Sequence, residues 1–285
     1  MTTIKKLREL EIILNKSTGK KVLGMVPTMG SLHEGHISLV NRAVKMCDEV
    51  WVSIFVNPTQ FNDMNDYKKY PVDLKKDIDN IKSINQNINI FIPNVNDIYG
   101  ARIVKDKFDF QKVDKVLEGI KRPGHFNGVG TIVKKLFEIF KPNLVFFGEK
   151  DFQQTIIVQK IIDNYFKNIK MIVCPTVRSE DGLALSSRNF LLSKDAKKNI
   201  SAIYDSLLFA KQNFNKFSDN DLKSIIKNKI EKNTGYILDY FELRCSKTLR
   251  FCNRKNIKKC CCRAFICVIV DGVRLIDNLV MTNEN

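Results

Sequence analysis

Short β-rich runs alternate with helix-patterned stretches through residues 1–175, and this alternation constrains the fold more than any other feature of the chain. The runs fall at 22–26, 50–56, 88–92, 144–147 and 169–174, each rich in branched or aromatic residues. The clearest helical pattern carries Val129, Ile132, Val133, Leu136, Phe137 and Phe140. That spacing puts all six on one stripe, and Pro142 follows as a stop signal. Asp151 is placed to cap a further helix through Phe152, Ile156, Ile157 and Ile161. Strands separated by helices pair in parallel through right-handed crossovers. The expected class is therefore α/β, with an open, doubly wound, Rossmann-like parallel sheet.

The rhythm changes after Cys174. Two polar helical stretches, about 194–214 and 219–232, precede β-like runs at 236–243 and 264–270. Asp271 and Gly272, between Val270 and Val273, read as a two-residue hairpin, because both tolerate the positive φ of a type I′ turn. The expected organisation is a Rossmann-like domain over 1–175 and a smaller C-terminal α+β domain over 176–285. No internal repeat or low-complexity linker interrupts it.

Composition excludes other classes. Hydrophobic residues at 44% and charged residues at 27% place the chain among globular proteins rather than disordered ones. The longest apolar run, 264–270, is far too short to cross a bilayer, and MTTIKKLREL at the start has no export signal. A cytoplasmic setting with no membrane partner is expected. The formal charge of +16 comes mostly from lysines dispersed among Ile and Asn, with no nucleic-acid-binding motif beside them, so no nucleic-acid partner is expected. Eight cysteines, five of them within 252–267, read as reduced thiols used as small hydrophobes.

All three histidines lie in two short segments. His33 and His36 sit in PTMGSLHEGH (27–36), directly after the first β-rich run. With a helix beginning near Glu34, the two imidazoles share a face beside the unpaired N–H groups and positive dipole end of that helix, a cradle for a polyphosphate. Gly30 permits a tight turn, and Gly35 removes a Cβ where a flat base can lie against backbone. A zinc-protease helix needs its histidines four apart, so a metal site is not expected here. The plainer alternative is two solvent-facing histidines at a helix start.

The element His33-Glu34-Gly35-His36 resembles the HxGH signature of nucleotidyl-transferring and adenylate-forming α/β enzymes. Together with SIFVNPTQF, RPGHFNGV, FGEKDFQQ and DGLALSSRN, in that order over 22–278, it is similar to the pantothenate synthetase family. The resemblance implies ATP-dependent condensation of pantoate with β-alanine to pantothenate through a pantoyl-adenylate, with release of AMP and pyrophosphate. It implies ATP contacts from Met29, Gly30, Ser31, Leu32, His33, Glu34, Gly35 and His36. Further ATP contacts would come from Gly148, Glu149, Lys150 and Asp151, and from Val177, Leu185, Ser186, Ser187 and Arg188. Gln60 and Gln154 would hold pantoate, with Gln60 also facing β-alanine. Mg²⁺ would accompany ATP, and the protein would be a homodimer.

Residue chemistry suits these roles. A glutamine amide binds a hydroxy acid without charge and leaves its carboxylate nucleophilic. Lys150 is a compact charge for an oxygen that gains charge at phosphorus, and Ser186, Ser187 and Arg188 match phosphate oxygens. His36 would donate to the departing pyrophosphate, and His33 would support the triphosphate. His125, ahead of the helix near Val129, reads as structural. In YPVDLKKD (70–77) the family's Arg and Thr are absent and one acidic position is Lys76, leaving Asp77 to reach the metal through water. Two rivals remain: a nucleotidyltransferase that keeps the nucleotide in its product, and a basic RNA-binding module.

Overall fold

The structure is a computed structural model that describes residues 2–16, 21–252 and 261–282. Contacts divide the chain into two compact units, Met1–Glu149 with Gln153–Pro175, and Lys150–Phe152 with Thr176–Asn285.

The first unit is built on strands β1 (Thr3–Ile4), β2 (Leu23–Thr28), β3 (Glu49–Ile54), β4 (Asn89–Phe91), β5 (Leu144–Gly148) and β6 (Lys170–Cys174). They form one sheet in the order β1-β4-β3-β2-β5-β6, and every pairing is parallel. All five expected runs are strands, with ends moved by one or two residues. The edge strand β1 was not anticipated, because two residues are too few to show a period. From β2 the chain winds outward through β3 and β4, then crosses to β5 on the other side. The loops that follow β2 and β5 therefore open at the point where the winding reverses, which is where α/β sheets bind ligands.

Alternation along the strands explains the double layer. Val50, Val52 and Ile54 of β3 cluster with Leu39, Val40 and Ala43 of the helix Glu34–Met46 and with Ile81 of the helix Leu74–Ile84. Trp51, one position out of phase, meets Phe140 of the helix His125–Phe140 at a ring separation of 5.4 Å, and Phe91 meets the same ring at 5.7 Å. Each sheet face thus has its own helix, and all six expected stripe residues of His125–Phe140 are buried. This helix starts four residues before Val129, so His125 is its first residue rather than a preceding loop residue.

The second unit carries an antiparallel sheet of β7 (Tyr236–Cys245), β8 (Cys262–Val270) and β9 (Val273–Val280), in that order. Asp271 (φ 52°) and Gly272 (φ 75°) both take positive φ at the β8–β9 turn, as the hairpin reading expected. The helices Ser201–Gln212 and Asp219–Glu231 cover the sheet with Leu207, Leu222, Ile226 and Ile230. The single helix expected over 194–214 is broken after Lys197, and hydrogen bonds to the third preceding carbonyl carry the chain through Ile200 and Ala202. Cys252, Cys262 and Cys267 are buried within the core, as expected of small hydrophobes. Cys245 differs from the all-thiol reading in being disulfide-bonded, and Cys260 lies outside the described residues. Among the described residues, no helix is long and apolar enough to cross a membrane.

Candidate active site

The loop after β2 is held in a shape its own sequence does not favour. Gly30 (φ 82°) and Ser31 (φ 52°) both lie in the left-handed region, which costs a non-glycine residue such as Ser31 energy. The buried carboxylate of Asp77 compensates: its oxygens accept the N–H groups of Ser31 at 2.8 Å and Leu32 at 2.7 Å. Burial raises the Asp77 carboxyl above the usual carboxylate range, and these two amides oppose the rise. Both of its oxygens are engaged by backbone, so it anchors the loop.

That anchored loop delivers His33 as the cap of the helix Glu34–Met46. His33 Nδ1 accepts from Gly35 N at 3.1 Å, and His36 Nδ1 accepts from His33 N at 3.4 Å. The two rings lie 4.1 Å apart between centroids. A ring nitrogen that accepts cannot carry the proton, so each neutral imidazole holds it on Nε2. Two N–H donors thus stand side by side at the positive end of a helix, an arrangement suited to anionic oxygens. Glu34 is exposed on the first turn and Leu32 is buried in the core.

Gln60 joins this loop directly, its Nε2 donating to Met29 Sδ at 3.2 Å. Its Oε1 accepts from Asn57 Nδ2 at 3.0 Å, which fixes the amide with its donor side toward Met29. Asn57 is fixed in turn: its Oδ1 accepts from Tyr99 Oη at 2.5 Å and from Thr59 Oγ1 at 3.0 Å, and its Nδ2 donates to the Gly128 carbonyl at 3.1 Å. Burial pushes the Tyr99 hydroxyl up to about 12, so it remains a donor at any working pH. His125 donates Nδ1–H to the Gln60 carbonyl at 2.7 Å and accepts from Arg122 on Nε2 at 3.0 Å. Its role is to hold the Gln60 backbone. A Cβ on Gly128 would lie 2.2 Å from the Thr59 carbonyl oxygen, so only glycine lets the helix His125–Phe140 approach this turn. Sequence reasoning did not assign Asn57, Tyr99 or Gly128 a role, although Asn57 and Gly128 stand inside the quoted motifs.

Of the paired glutamines after β5, Gln153 is committed to structure. Its Nε2 donates to the carbonyls of Val113 and Val116, both at 2.8 Å, and its Oε1 accepts from Glu118 N at 3.1 Å. Gln154, its half-buried neighbour on the first turn of the helix Phe152–Tyr165, is the one left for a ligand role. Gly148 ends β5 and Glu149 follows it, beside β2 in the sheet order.

The remaining candidates belong to the second unit. Lys150 Nζ lies 3.4 Å from Asp151, and its side chain is 16% exposed. Asp151 accepts from Lys150 and ends the short 3₁₀ turn Glu149–Asp151 that leads into the helix Phe152–Tyr165. Residues 178–184 form a small hairpin closed by the bridge between Arg178 and Ala184, with Gly182 at φ 79°. Val177 and Leu185 flank it, Leu185 N donating to the Val177 carbonyl at 3.0 Å. Ser186 then caps the 3₁₀ turn Ser187–Leu191, its Oγ accepting Arg188 N at 3.2 Å.

Comparisons with known proteins identify the family. Residues 1–280 match the family described as pantoate-beta-alanine ligase. The pantothenate synthetase of Christiangramia forsetii is 46% identical over 268 residues, spanning 94% of this chain and 94% of the relative. That of Bacteroides fragilis is 41% identical over 281 residues, spanning 97% and 96%. The crystal structure of pantothenate synthetase from Thermus thermophilus matches with a TM-score of 0.87 at 32% identity, covering 99% of this chain and 100% of that one. Pantoate-beta-alanine ligase from Francisella tularensis, solved with beta-gamma ATP and beta-alanine, matches with a TM-score of 0.81 at 36% identity, covering 100% and 99%. A whole-length family match, and relatives well above 30% identity over nearly all of both chains, establish that the chain belongs to the pantoate–β-alanine ligase family.

Proposed function

We propose that the chain joins pantoate to β-alanine at the expense of ATP, through a pantoyl-adenylate. A pantoate carboxylate oxygen attacks the α-phosphorus, and the bond to the bridging oxygen breaks to release pyrophosphate. The β-alanine amine then attacks the acyl carbon, loses a proton, and expels AMP. A bare carboxylate resists amines because oxide is a poor leaving group, whereas AMP departs readily. The observation that carries this reading is the His33–His36 pair at the start of a helix, whose Nδ1 atoms both accept backbone N–H groups, which assigns the ring proton of each neutral imidazole to Nε2.

In this reading His36 donates to the leaving pyrophosphate oxygens and His33 supports the triphosphate, with backbone from Met29 to Gly35 receiving the nucleotide. Gly148, Glu149, Val177 and Leu185 complete the nucleotide contacts, and Asp151 holds Lys150. The pre-oriented Gln60 amide and Gln154 bind pantoate as neutral groups, which leaves the carboxylate reactive. Gln60 also faces β-alanine. Lys150 stabilises charge at the α-phosphoryl group, while Ser186, Ser187 and Arg188 anchor the leaving phosphates. Mg²⁺ enters with ATP as part of that substrate. The reading also includes a cytoplasmic homodimer, and sedimentation tests its oligomeric state.

Incubation with ATP, pantoate and β-alanine tests the assignment. AMP should accumulate one for one with a new amide. A product that keeps the nucleotide would favour the transferase reading, and salt-sensitive RNA binding without ATP turnover would favour the RNA-binding one.

A further inference from the structure

Two adjacent side chains on β9, Asp277 and Asn278, are buried in the second unit although both are polar. Asp277 takes both arms of Arg178, with Nη1 to Oδ2 at 2.5 Å and Nη2 to Oδ1 at 2.9 Å. Arg178 also donates to the Gly182 carbonyl at 3.0 Å, and its guanidinium stacks 3.8 Å from the centroid of the Tyr204 ring. The hairpin 178–184 is thus fixed at its root, immediately before Ser186, Ser187 and Arg188. Asn278 acts on the other side: its Nδ2 donates to the Lys150 carbonyl at 2.9 Å, and its Oδ1 accepts from Arg263. Arg263 lies 3.9 Å over the Phe152 ring, so the short segment Lys150–Phe152 is held at both ends. Asn278 N donates to Asp277 Oδ1 at 2.8 Å and couples the two anchors.

Resting on the reading that Lys150 and residues 186–188 handle the phosphates, we infer that Asp277 and Asn278 are positioning residues for adenylation. Two adjacent side chains of β9 set the Lys150 main chain and the root of the 186–188 loop in a single frame. Lysine is a point charge on a flexible stem, so its placement depends on the backbone from which it projects. A buried ion pair returns little net stability, because desolvation offsets the attraction. What Asp277 and Arg178 supply is one fixed geometry, and misplacement of a charged group by an ångström is costly for catalysis.

Asn278→Asp tests this. It keeps the shape and the acceptor for Arg263, and it replaces the donor to the Lys150 carbonyl with an oxygen. Single-turnover pyrophosphate release from ATP and pantoate should fall by about tenfold, the worth of one ordinary hydrogen bond. Transfer from synthetic pantoyl-adenylate to β-alanine should stay within about twofold, since that step does not form charge at phosphorus. The double variant with Lys150→Ala should be no slower than Lys150→Ala alone, as expected of residues that act through one another. An equal fall in both half-reactions, wild-type rates, or additive losses in the double variant would overturn the inference. Asn278→Ser, which shortens the reach without adding charge, serves if Asn278→Asp does not fold. Wild-type adenylation in Lys150→Ala and Arg188→Ala would sink the underlying assignment instead. Slow adenylation in those two with a fast Asn278→Asp removes only the positioning role.

Discussion

The two units hold their reactive groups by different means. In the first, the reactive side chains themselves are oriented by neutral groups two or three residues away, although Asp77 anchors their loop from farther along the chain: Gly35 and His33 orient the two imidazoles, and Asn57 orients Gln60. In the second, charges hold charges across long stretches of chain. Arg178 meets Asp277 across a separation of 99 residues, and Arg274 meets Asp239 across 35. The difference follows from the chemistry proposed for each. A carboxylate that must attack is best bound by amides, since a cation would blunt it. Phosphate oxygens require cations, and cations placed beneath a surface require buried anions to fix them.

Removing a long-range pair should therefore cost the most. Arg178→Ala strands the buried Asp277 carboxylate, and breaking such a pair costs about 3–5 kcal/mol. Amide exchange in β9 should accelerate correspondingly, while the fluorescence of Trp51, the sole tryptophan, should report an unchanged first unit. Equal loosening of both would erase the distinction. Next, Lys150→Ala removes one electrostatic donor and should slow pyrophosphate release by about 10²–10³-fold, or ~3–4 kcal/mol. Unchanged turnover would reject its role. Within the first unit, Gly128→Ala drives a methyl into the Thr59 carbonyl and should cost about 1–3 kcal/mol in denaturant unfolding. The mildest change, Asn57→Ala, frees the Gln60 amide to rotate and should raise the KM for pantoate by about tenfold, with the KM for ATP steady. An equal rise in both constants would show that Asn57 serves the fold rather than Gln60.

The same contrast decides what could be read from sequence. PTMGSLHEGH carries its own geometry, because the bonds that orient His33 and His36 reach only two or three residues along the chain. The sheet was legible for a similar reason, since each of β2 to β6 coincides with a short run rich in apolar, branched or aromatic residues. The anchoring role of Asp77 carried no signal, because the amides it accepts lie some 45 residues away in the loop after β2. Asp277 and Asn278 carried no signal, because partners such as Arg178 and Lys150 are brought to β9 only by the fold. Asn57 was visible within SIFVNPTQF, but its bond to Gln60 depends on a 3₁₀ turn that the motif alone does not announce. The break after Lys197 likewise depends on local carbonyl partners rather than on hydrophobic spacing.

With Gln60 and Gln154 proposed to bind pantoate without charge, its carboxylate attacks the α-phosphorus, and the fate of ¹⁸O placed in that carboxylate reports the attack directly. One labelled oxygen should appear in the phosphate of AMP after a single turnover, because the carboxylate oxygen that bonds to phosphorus departs with it. Unlabelled AMP, or label recovered in inorganic phosphate with ADP as the other product, would contradict an adenylate route.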